Sequence, residues 1–299
     1  ESLCSFDEAI TSQRQVFLAH EAKQTVLGPR AMISQGENAQ FAYIARASES
    51  GPTIVKFGTV VPSNTSRSIP VVQTNIAVMD PTTGSVTTFL DGESVTRLRT
   101  VAASIVAAQA LANPTIKVAI VGLGHQGQAH AQAVSKIFKP RELIGIARNS
   151  KHVVNSASTT AQLFTSVTQD FSALQECDLI FLCTNSATPV IKEQIAAGAT
   201  CISIGSFAPN RSEVAPELIA EADQVLVDDV EISSAQCGGV KGALEMSNRN
   251  WPSVRSLGSA LNGSGRRSPG ERIYFFSVGL GIQDAAIAEI ILNKLSKRG

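Results

Sequence analysis

A glycine-rich turn near the middle of the chain could bind the diphosphate of a dinucleotide. Residues 116–121 form an apolar, β-branched segment, and a Gly-x-Gly-x-x-Gly motif at 122–127 follows it at the start of a helical pattern. The first glycine permits a tight turn, the second lets the backbone approach a pyrophosphate, and the third lets helix and strand pack closely. Free N–H groups at the helix N-terminus favour an anion there. The predicted cofactor contacts are Gly122, Gly124, His125, Gln126 and Gly127; a purely structural glycine turn is the alternative.

The end of the next predicted strand indicates which dinucleotide to expect. Proteins that bind NAD(H) usually carry Asp or Glu there, to accept a hydrogen bond from the ribose 2′-hydroxyl. Here residues 145–151 are Gly-Ile-Ala-Arg-Asn-Ser-Lys, and Glu142 stands at the strand's beginning. An arginine at this end could pair with a 2′-phosphate. We predict NADP(H), bound by Arg148, Asn149 and Ser150; in the alternative, Arg148 begins a solvated helix and NAD(H) binds.

Three basic residues among the first hundred could bind or protonate a small anion. Lys56 interrupts an apolar strand-like segment, Arg99 lies at the start of an alanine-rich helical stretch, and Arg30 follows Gly28-Pro29. Each of them alone is more typical of a surface charge whose long stem lies on apolar neighbours. The residues themselves leave both interpretations open.

Several segments together resemble the family of ornithine cyclodeaminase and μ-crystallin over nearly the whole chain. Arg-Thr-x-Ala-Ala-Ser at 99–104 combines with Gly-x-Gly-x-Gln at 122–126, and this combination is specific. The further matching segments are 205–213, 227–229 and 277–284.

The resemblance implies a homodimeric enzyme that transfers hydride to or from small amino, imino or keto acids. By motif position it implies that Lys56 is the catalytic residue. It likewise implies the substrate-binding residues, which are Arg30, Arg99, Val278 and Gly279. Guanidinium groups suit a carboxylate because they bind it in a bidentate manner. A lysine near two arginines would have a depressed pKa, and it could protonate or polarise an imine or carbonyl.

One position departs from the ornithine cyclodeaminases themselves. They carry Asp two residues before the proline of the 205–213 segment, where this chain has Phe207. Without that carboxylate, a cyclisation loses its main acid/base group. We therefore predict an NADPH-dependent reductase of a small ketimine or imino acid. The alternatives are an ornithine cyclodeaminase, which uses NAD to convert ornithine to proline and ammonia, and a dinucleotide-dependent ligand-binding protein like μ-crystallin.

The elements around these residues predict an α/β protein with two domains. A capping box at Ser5 and Glu8 opens a helix, and strand-like segments at 41–47, 53–61, 71–79 and 85–90 predict a smaller, mostly antiparallel sheet. From residue 115 on, short apolar runs alternate with helical patterns, which predicts a doubly wound Rossmann domain. We assign residues 114–280 to that domain, and residues 1–113 plus 281–299 to the dimerisation and substrate-binding domain that the resemblance implies.

Composition and charge argue against several other functions. The 299 residues include 25 basic and 25 acidic ones, so no net field favours nucleic acid or anionic lipid. No apolar run has the length of a membrane span and no signal peptide is visible, so we expect a cytoplasmic protein without a membrane partner. The five cysteines are scattered and odd in number, and the four histidines lack partner spacing, so we expect free thiols and no metal site.

Overall fold

The computed structural model describes residues 3–67, 69–114, 117–148, 163–263 and 268–297, apart from the side chains of Thr65 and Pro252. The chain forms two compact units, Glu1–Ala103 with Leu280–Gly299, and Ser104–Gly279. The first contains an antiparallel sheet and the second a parallel one, which confirms the predicted fold class. The assignment of 1–113 plus 281–299 to dimerisation and substrate binding, with 114–280 for the dinucleotide, stays a prediction.

The helices and strands are given in chain order. They are α1 (Phe6–Glu21), β1 (Val26–Leu27), β2 (Ala31–Gln35), β3 (Asn38–Arg46), β4 (Thr53–Val60), β5 (Val72–Met79), β6 (Val86–Asp91), α2 (Gly92–Leu111), β7 (Lys117–Val121), α3 (His125–Ile137), β8 (Glu142–Ile146), β9 (Ser166–Thr168), β10 (Leu179–Leu182), β11 (Thr200–Ser203), α4 (Pro216–Ala220), β12 (Gln224–Val227), α5 (Val230–Gln236), α6 (Gly238–Met246), β13 (Arg255–Ser256), α7 (Leu257–Leu261), β14 (Ile273–Phe276) and α8 (Gly281–Leu295).

In the first unit, the sheet has the order β1-β3-β4-β5-β6, with β2 also paired to β3, and its pairs are antiparallel. Helix α1 begins with the predicted capping box, because Ser5 and Glu8 exchange hydrogen bonds. Helix α8 contacts β3, β4 and α1, so the last helix of the chain packs on strands formed near its beginning. Because side chains alternate across a strand, Ile54 and Lys56 of β4 share the face that is buried.

In the second unit, eight strands pair in the order β13-β12-β14-β11-β10-β7-β8-β9, and all of these pairs are parallel. Strands β8 and β9 lie on one side of β7, and β10 lies on its other side, so the strand order reverses at β7. In such sheets ligands bind outside the carboxyl ends of the strands, where the order reverses. Strands β10, β11 and β14 are buried at every residue, as expected of a sheet covered on both faces.

The described residues contain neither a membrane-spanning helix nor a cluster of metal ligands. No helix there is long and apolar enough to cross a membrane. No group of three or more His, Cys, Asp or Glu side chains could hold a metal ion in the same described ranges.

Candidate active site

Lys56 is the centre of a charged cluster in the first unit. Its place on β4 directs it to the buried face of the sheet, and only 3% of its surface is exposed. The ammonium nitrogen Nζ lies 2.8 Å from Oδ1 of Asp284 and also donates to the hydroxyl of Thr96. A surface charge would not be held in this way. Lys56 therefore belongs to a built site and does not simply extend to solvent.

Asp284 joins this cluster from the first turn of α8. Its carboxylate is fully buried. Oδ1 accepts from Lys56, and Oδ2 accepts from the phenol of Tyr43 at 2.9 Å. Nε of Arg99 lies 3.8 Å from Oδ1. Three elements, β3, β4 and α2, thus place a donor or a cation against one carboxylate of α8.

The two predicted arginines lie at the edge of this cluster. Arg99 donates from Nη1 to Oε1 of Gln283 at 3.2 Å. The guanidinium carbon of Arg30 lies 5.4 Å from the centroid of the Tyr43 ring, in cation–π geometry. The Nε atoms of both arginines are buried and have no hydrogen-bond partner among the described residues. With Lys56, these cations outnumber the single carboxylate of Asp284 in the cluster, so the local field favours an anion.

Burial and charge set the protonation of the cluster in opposing ways. Burial lowers the pKa of Lys56, and the charges of Arg99 and Arg30 lower it further, while Asp284 raises it. Burial by itself would raise the pKa of Asp284, but the charges of Lys56 and Arg99 outweigh it, so that pKa is lowered. Burial, then the charge of Asp284, raises the pKa of Tyr43 well above its usual value. Tyr43 therefore keeps its proton and serves as a donor.

The glycine turn of the second unit has the geometry that the motif predicts. Gly122 has φ +91°, a conformation that L side chains rarely adopt. A Cβ atom on Gly127 would overlap the carbonyl oxygen of Gly122, which is how closely helix and strand pack. A Cβ on Gly124 would meet no atom within 4 Å. The first and third glycines thus shape the turn, and the second leaves its outer side open.

Helix α3 begins directly after this turn. Gly124 is its N-cap and provides no side-chain cap for the first N–H groups. His125 is exposed, and Gln126 is half-buried with an Oε1 that lacks a partner among the described residues. Uncapped N–H groups and the helix dipole suit a phosphate group. These residues fit a dinucleotide.

The end of β8 carries the residues that the sequence analysis assigned to a 2′-phosphate. Arg148 is exposed two residues after β8, and its Nη2 lies 3.4 Å from the hydroxyl of Ser186. Glu142 is the first residue of β8 and pairs with Lys117 at 3.5 Å, so it lies at the other end of the strand, as predicted. Asn149 and Ser150 lie outside the described residues.

Glu213 is a fully buried carboxylate that sequence reasoning did not single out as functional. Oε1 accepts from the N–H and the hydroxyl of Thr184, and Oε2 accepts from the hydroxyl of Ser203 and the N–H of Gly205. Thr184 follows β10, and Gly205 follows β11. One side chain therefore fixes two loops at the carboxyl edge of the sheet.

Asp228 does the same for the loop that contains two predicted substrate contacts. Its Oδ2 accepts from the N–H groups of Val278 at 2.9 Å and Gly279 at 2.8 Å, and from the hydroxyl of Ser277 at 3.1 Å. Val278 is buried. The backbone donors of Val278 and Gly279 are therefore engaged by Asp228, which leaves their carbonyl groups as the polar atoms that could meet a ligand.

Phe207, at the position where cyclodeaminases have an aspartate, is 40% exposed. The guanidinium of Arg211 lies 5.0 Å from its ring centroid, and Arg211 also donates to the side chain of Asn185 at 2.9 Å. An aromatic face and a cation thus stand where cyclodeaminases carry the aspartate.

The class of protein follows from these two regions. A parallel sheet with an open glycine turn fits a dinucleotide, and a buried lysine among arginines fits a small acid; both features are typical of nicotinamide-dependent oxidoreductases. The chain belongs to the ornithine cyclodeaminase/mu-crystallin family, whose model matches residues 23–299. The resemblance seen in the sequence is thereby confirmed.

Known members of the family share most of their length with this chain. A Delta(1)-pyrroline-2-carboxylate reductase of Bacillus cereus is 29% identical over 82% of this chain and 78% of its own. The structure of the Thermococcus litoralis Delta(1)-pyrroline-2-carboxylate reductase with NADH and L-proline has a TM-score of 0.91 at 24% identity, covering 99% of this chain and 95% of the other. An archaeal alanine dehydrogenase dimer with bound NAD has a TM-score of 0.91 at 26% identity, covering 100% and 94%. These relatives are oxidoreductases, which confirms the predicted class of enzyme.

Proposed function

We propose that this protein reduces a small imino acid, transferring hydride to the carbon of a C=N bond next to a carboxylate. The observation that carries the proposal is the buried Lys56, held by Asp284 and flanked by Arg99, in a cluster with an excess of positive charge. Its support also includes the reductases to which the chain is similar.

Each residue of the cluster has a distinct role in this reaction. Arg99 and Arg30 bind the substrate carboxylate, since guanidinium groups form paired, charge-assisted hydrogen bonds with it. Lys56 donates a proton to the imine nitrogen. The reduced nicotinamide, when bound, supplies the hydride. Gly124 and the first turn of α3 bind its diphosphate, and Gly122 and Gly127 maintain the turn.

We propose NADPH as the preferred reductant. Its support is Arg148 after β8 together with the lack of an acid at that end of the strand. NADH is the competing choice, since relatives of this chain are described with NADH or NAD.

A second candidate is reductive amination of a keto acid. A relative of this kind is the alanine dehydrogenase of Archaeoglobus fulgidus, which is 28% identical over 99% of this chain. The same Lys56 would then polarise a carbonyl oxygen. Phe207 and Arg211 provide no carboxylate for the amine of a cyclodeaminase substrate, so ornithine cyclisation is the weaker alternative.

The test is a paired titration followed by a substrate panel. Fluorescence gives the affinities for NADPH and NADH, and absorbance then follows their oxidation with Δ1-pyrroline-2-carboxylate, Δ1-piperideine-2-carboxylate, pyruvate with ammonia, or pyruvate alone. We expect tighter NADPH binding and turnover with the cyclic imines. Turnover restricted to pyruvate with ammonia would identify an amino-acid dehydrogenase. A separate assay incubates the protein with ornithine and NAD, and release of ammonia there would refute the reductase.

We also propose a homodimer formed through the first unit. The outer face of its sheet carries a row of cross-strand neighbours, Ile44, Val55, Ala77 and Phe89. Ile44 is 51% exposed and Phe89 is 68% exposed, while Val55 is half-buried and Ala77 is buried; large apolar side chains exposed on one sheet face indicate a surface that meets a partner. Light scattering should give the mass of a dimer, and Phe89→Glu should give a monomer; a wild-type monomer at micromolar concentration contradicts the proposal.

A further inference from the structure

The role of Asp284 goes beyond the contacts that hold α8 on the sheet. We propose that Asp284 is the positioning residue that keeps Lys56 protonated and directs its ammonium group, and that Tyr43 in turn orients Asp284. This inference rests on the proposed function, in which Lys56 is the proton donor. It assigns a role to a residue that the sequence analysis did not identify.

The charges that face Lys56 explain why such a partner is needed. Tyr43 approaches from β3, Thr96 and Arg99 from α2, and Asp284 from α8, while Arg30 lies over the Tyr43 ring. Burial and two guanidinium groups favour the neutral amine, because a buried ammonium loses water and is repelled by like charges. The carboxylate in this set is Asp284, at 2.8 Å. It supplies the attraction that keeps the donor charged.

Asp284 acts in this scheme by its charge and gives up no proton. As hydride reaches the imine carbon, the C=N π pair becomes the nitrogen lone pair and takes a proton from Lys56 Nζ. Lys56 becomes a neutral amine and regains a proton from water. Asp284 stays ionised, because Lys56 and Arg99 outweigh the effect of its burial on the pKa. Tyr43 keeps its proton and holds Oδ2 in place.

The substitution Asp284→Asn separates charge from shape. An asparagine can accept from Lys56 through Oδ1, and its amide can donate to the Tyr43 oxygen, which accepts as well as donates. Both contacts survive while the negative charge is lost. Tyr43→Phe is the reverse change, since it removes one hydrogen bond and leaves the charge of Asp284 beside Lys56.

The experiment measures kcat against pH with saturating imine and reduced dinucleotide. Reduction needs protonated Lys56, so kcat falls as pH rises through the pKa of Lys56. Loss of a carboxylate at this distance should move that fall to lower pH by about 1–3 pH units. Acidification should restore kcat in Asp284→Asn, and Tyr43→Phe should move the fall far less. Asp284→Ser removes the same charge with a smaller side chain and is used if the asparagine variant does not fold.

Gln13→Leu is the matched structural control. Gln13 is buried on α1 and donates to the backbone oxygen of Gln283 at 3.1 Å, so it stabilises α8 without a charge. The Gln13→Leu substitution should lower the melting temperature and leave unchanged the pH at which kcat falls. A folded, active Asp284→Asn or Asp284→Ser enzyme with the wild-type pH profile would overturn the inference. Wild-type protein inactive on every imine, or full activity in Lys56→Ala, would instead refute the proposed function.

Discussion

The two units of this protein bury carboxylates in two different ways. In the first unit, Asp284 lies against Lys56 and Arg99, and these cations lower its pKa although burial opposes them. In the second unit, Glu213 and Asp228 receive N–H and O–H donors, and burial, the dominant influence, raises their pKa values. Asp284 thus sits in a charged cluster, whereas Glu213 and Asp228 fix backbone loops.

The difference shows what each kind of environment is suited to do. A carboxylate paired with cations sets the protonation of its neighbours, which is useful for chemistry. A carboxylate that accepts hydrogen bonds from several backbone groups fixes a loop, which is useful for holding a cofactor. Glu213 joins the loops after β10 and β11 in this second way.

The largest expected effect comes from removing Lys56, the cation that pairs with Asp284 in the first unit. Lys56→Ala should lower kcat by about 10²–10⁴-fold, the usual contribution of a positioned acid or base. The dinucleotide affinity should stay nearly unchanged, because the glycine turn belongs to the other unit. Steady-state assays and fluorescence titration measure the two quantities. Equal losses in both would show that the division of labour between the units is wrong.

Stability should distinguish the two kinds of carboxylate. Lys56→Ala should also cost about 3 kcal/mol of unfolding free energy, the lower end for a broken buried pair, because Arg99 remains near Asp284. Thr184→Val removes the hydroxyl donor to Glu213 and keeps the backbone donor, so it should cost about 1–2 kcal/mol. Urea unfolding measures both. A larger cost for Thr184→Val would reverse the comparison.

Arg148→Ala should act on the second unit alone. We expect it to weaken NADPH by about 1–3 kcal/mol, the range for a charge-assisted contact, and to change NADH affinity little. Paired fluorescence titration of both dinucleotides measures the difference. Similar losses for NADPH and NADH would remove the 2′-phosphate role of Arg148.

The smallest expected effect is a difference in how stability depends on pH. The lowered pKa of Asp284 gives stability that is present above about pH 4, its unfolded value, and is lost as pH falls further. The raised pKa of Glu213 works in the other direction, giving stability that is lost as pH rises above about 4.3. In Asp284→Asn, the unfolding free energy should therefore fall less as pH drops below about 4. In Glu213→Gln, it should fall less as pH rises above about 4.3. If the unfolding free energy of both variants depended on pH in the same way, the opposite pKa shifts of Asp284 and Glu213 would be contradicted.

Local sequence patterns predicted much of this molecule. The strands β4, β5 and β7 and the capping box of α1 depend on residues close together in the chain, so periodicity was sufficient. Strand β2 was missed because all its residues are exposed and show no alternation of burial. Strands β9 and β13 were missed because they are only three and two residues long, whereas β14 was missed although its four residues are all buried.

Only part of the charged cluster around Lys56 could be predicted, because local patterns do not show which distant residues meet. Lys56 and Arg99 could be identified through a family motif, whereas no local pattern links Tyr43 to Asp284 or Thr96 to Lys56. These two contacts depend on the packing of α8, α2 and the sheet.

The position of α8 after the second unit in the chain affects how the protein is made. Lys56 and Arg99 are synthesised early, and the carboxylate that faces them is synthesised only after all of residues 104–279. On the ribosome, the parallel sheet can therefore form before the first unit has its last helix. We expect ribosome-stalled chains that end before residue 281 to protect the second unit from protease and to leave the first unit susceptible. Protection of both units in such chains would show that the first unit folds without α8.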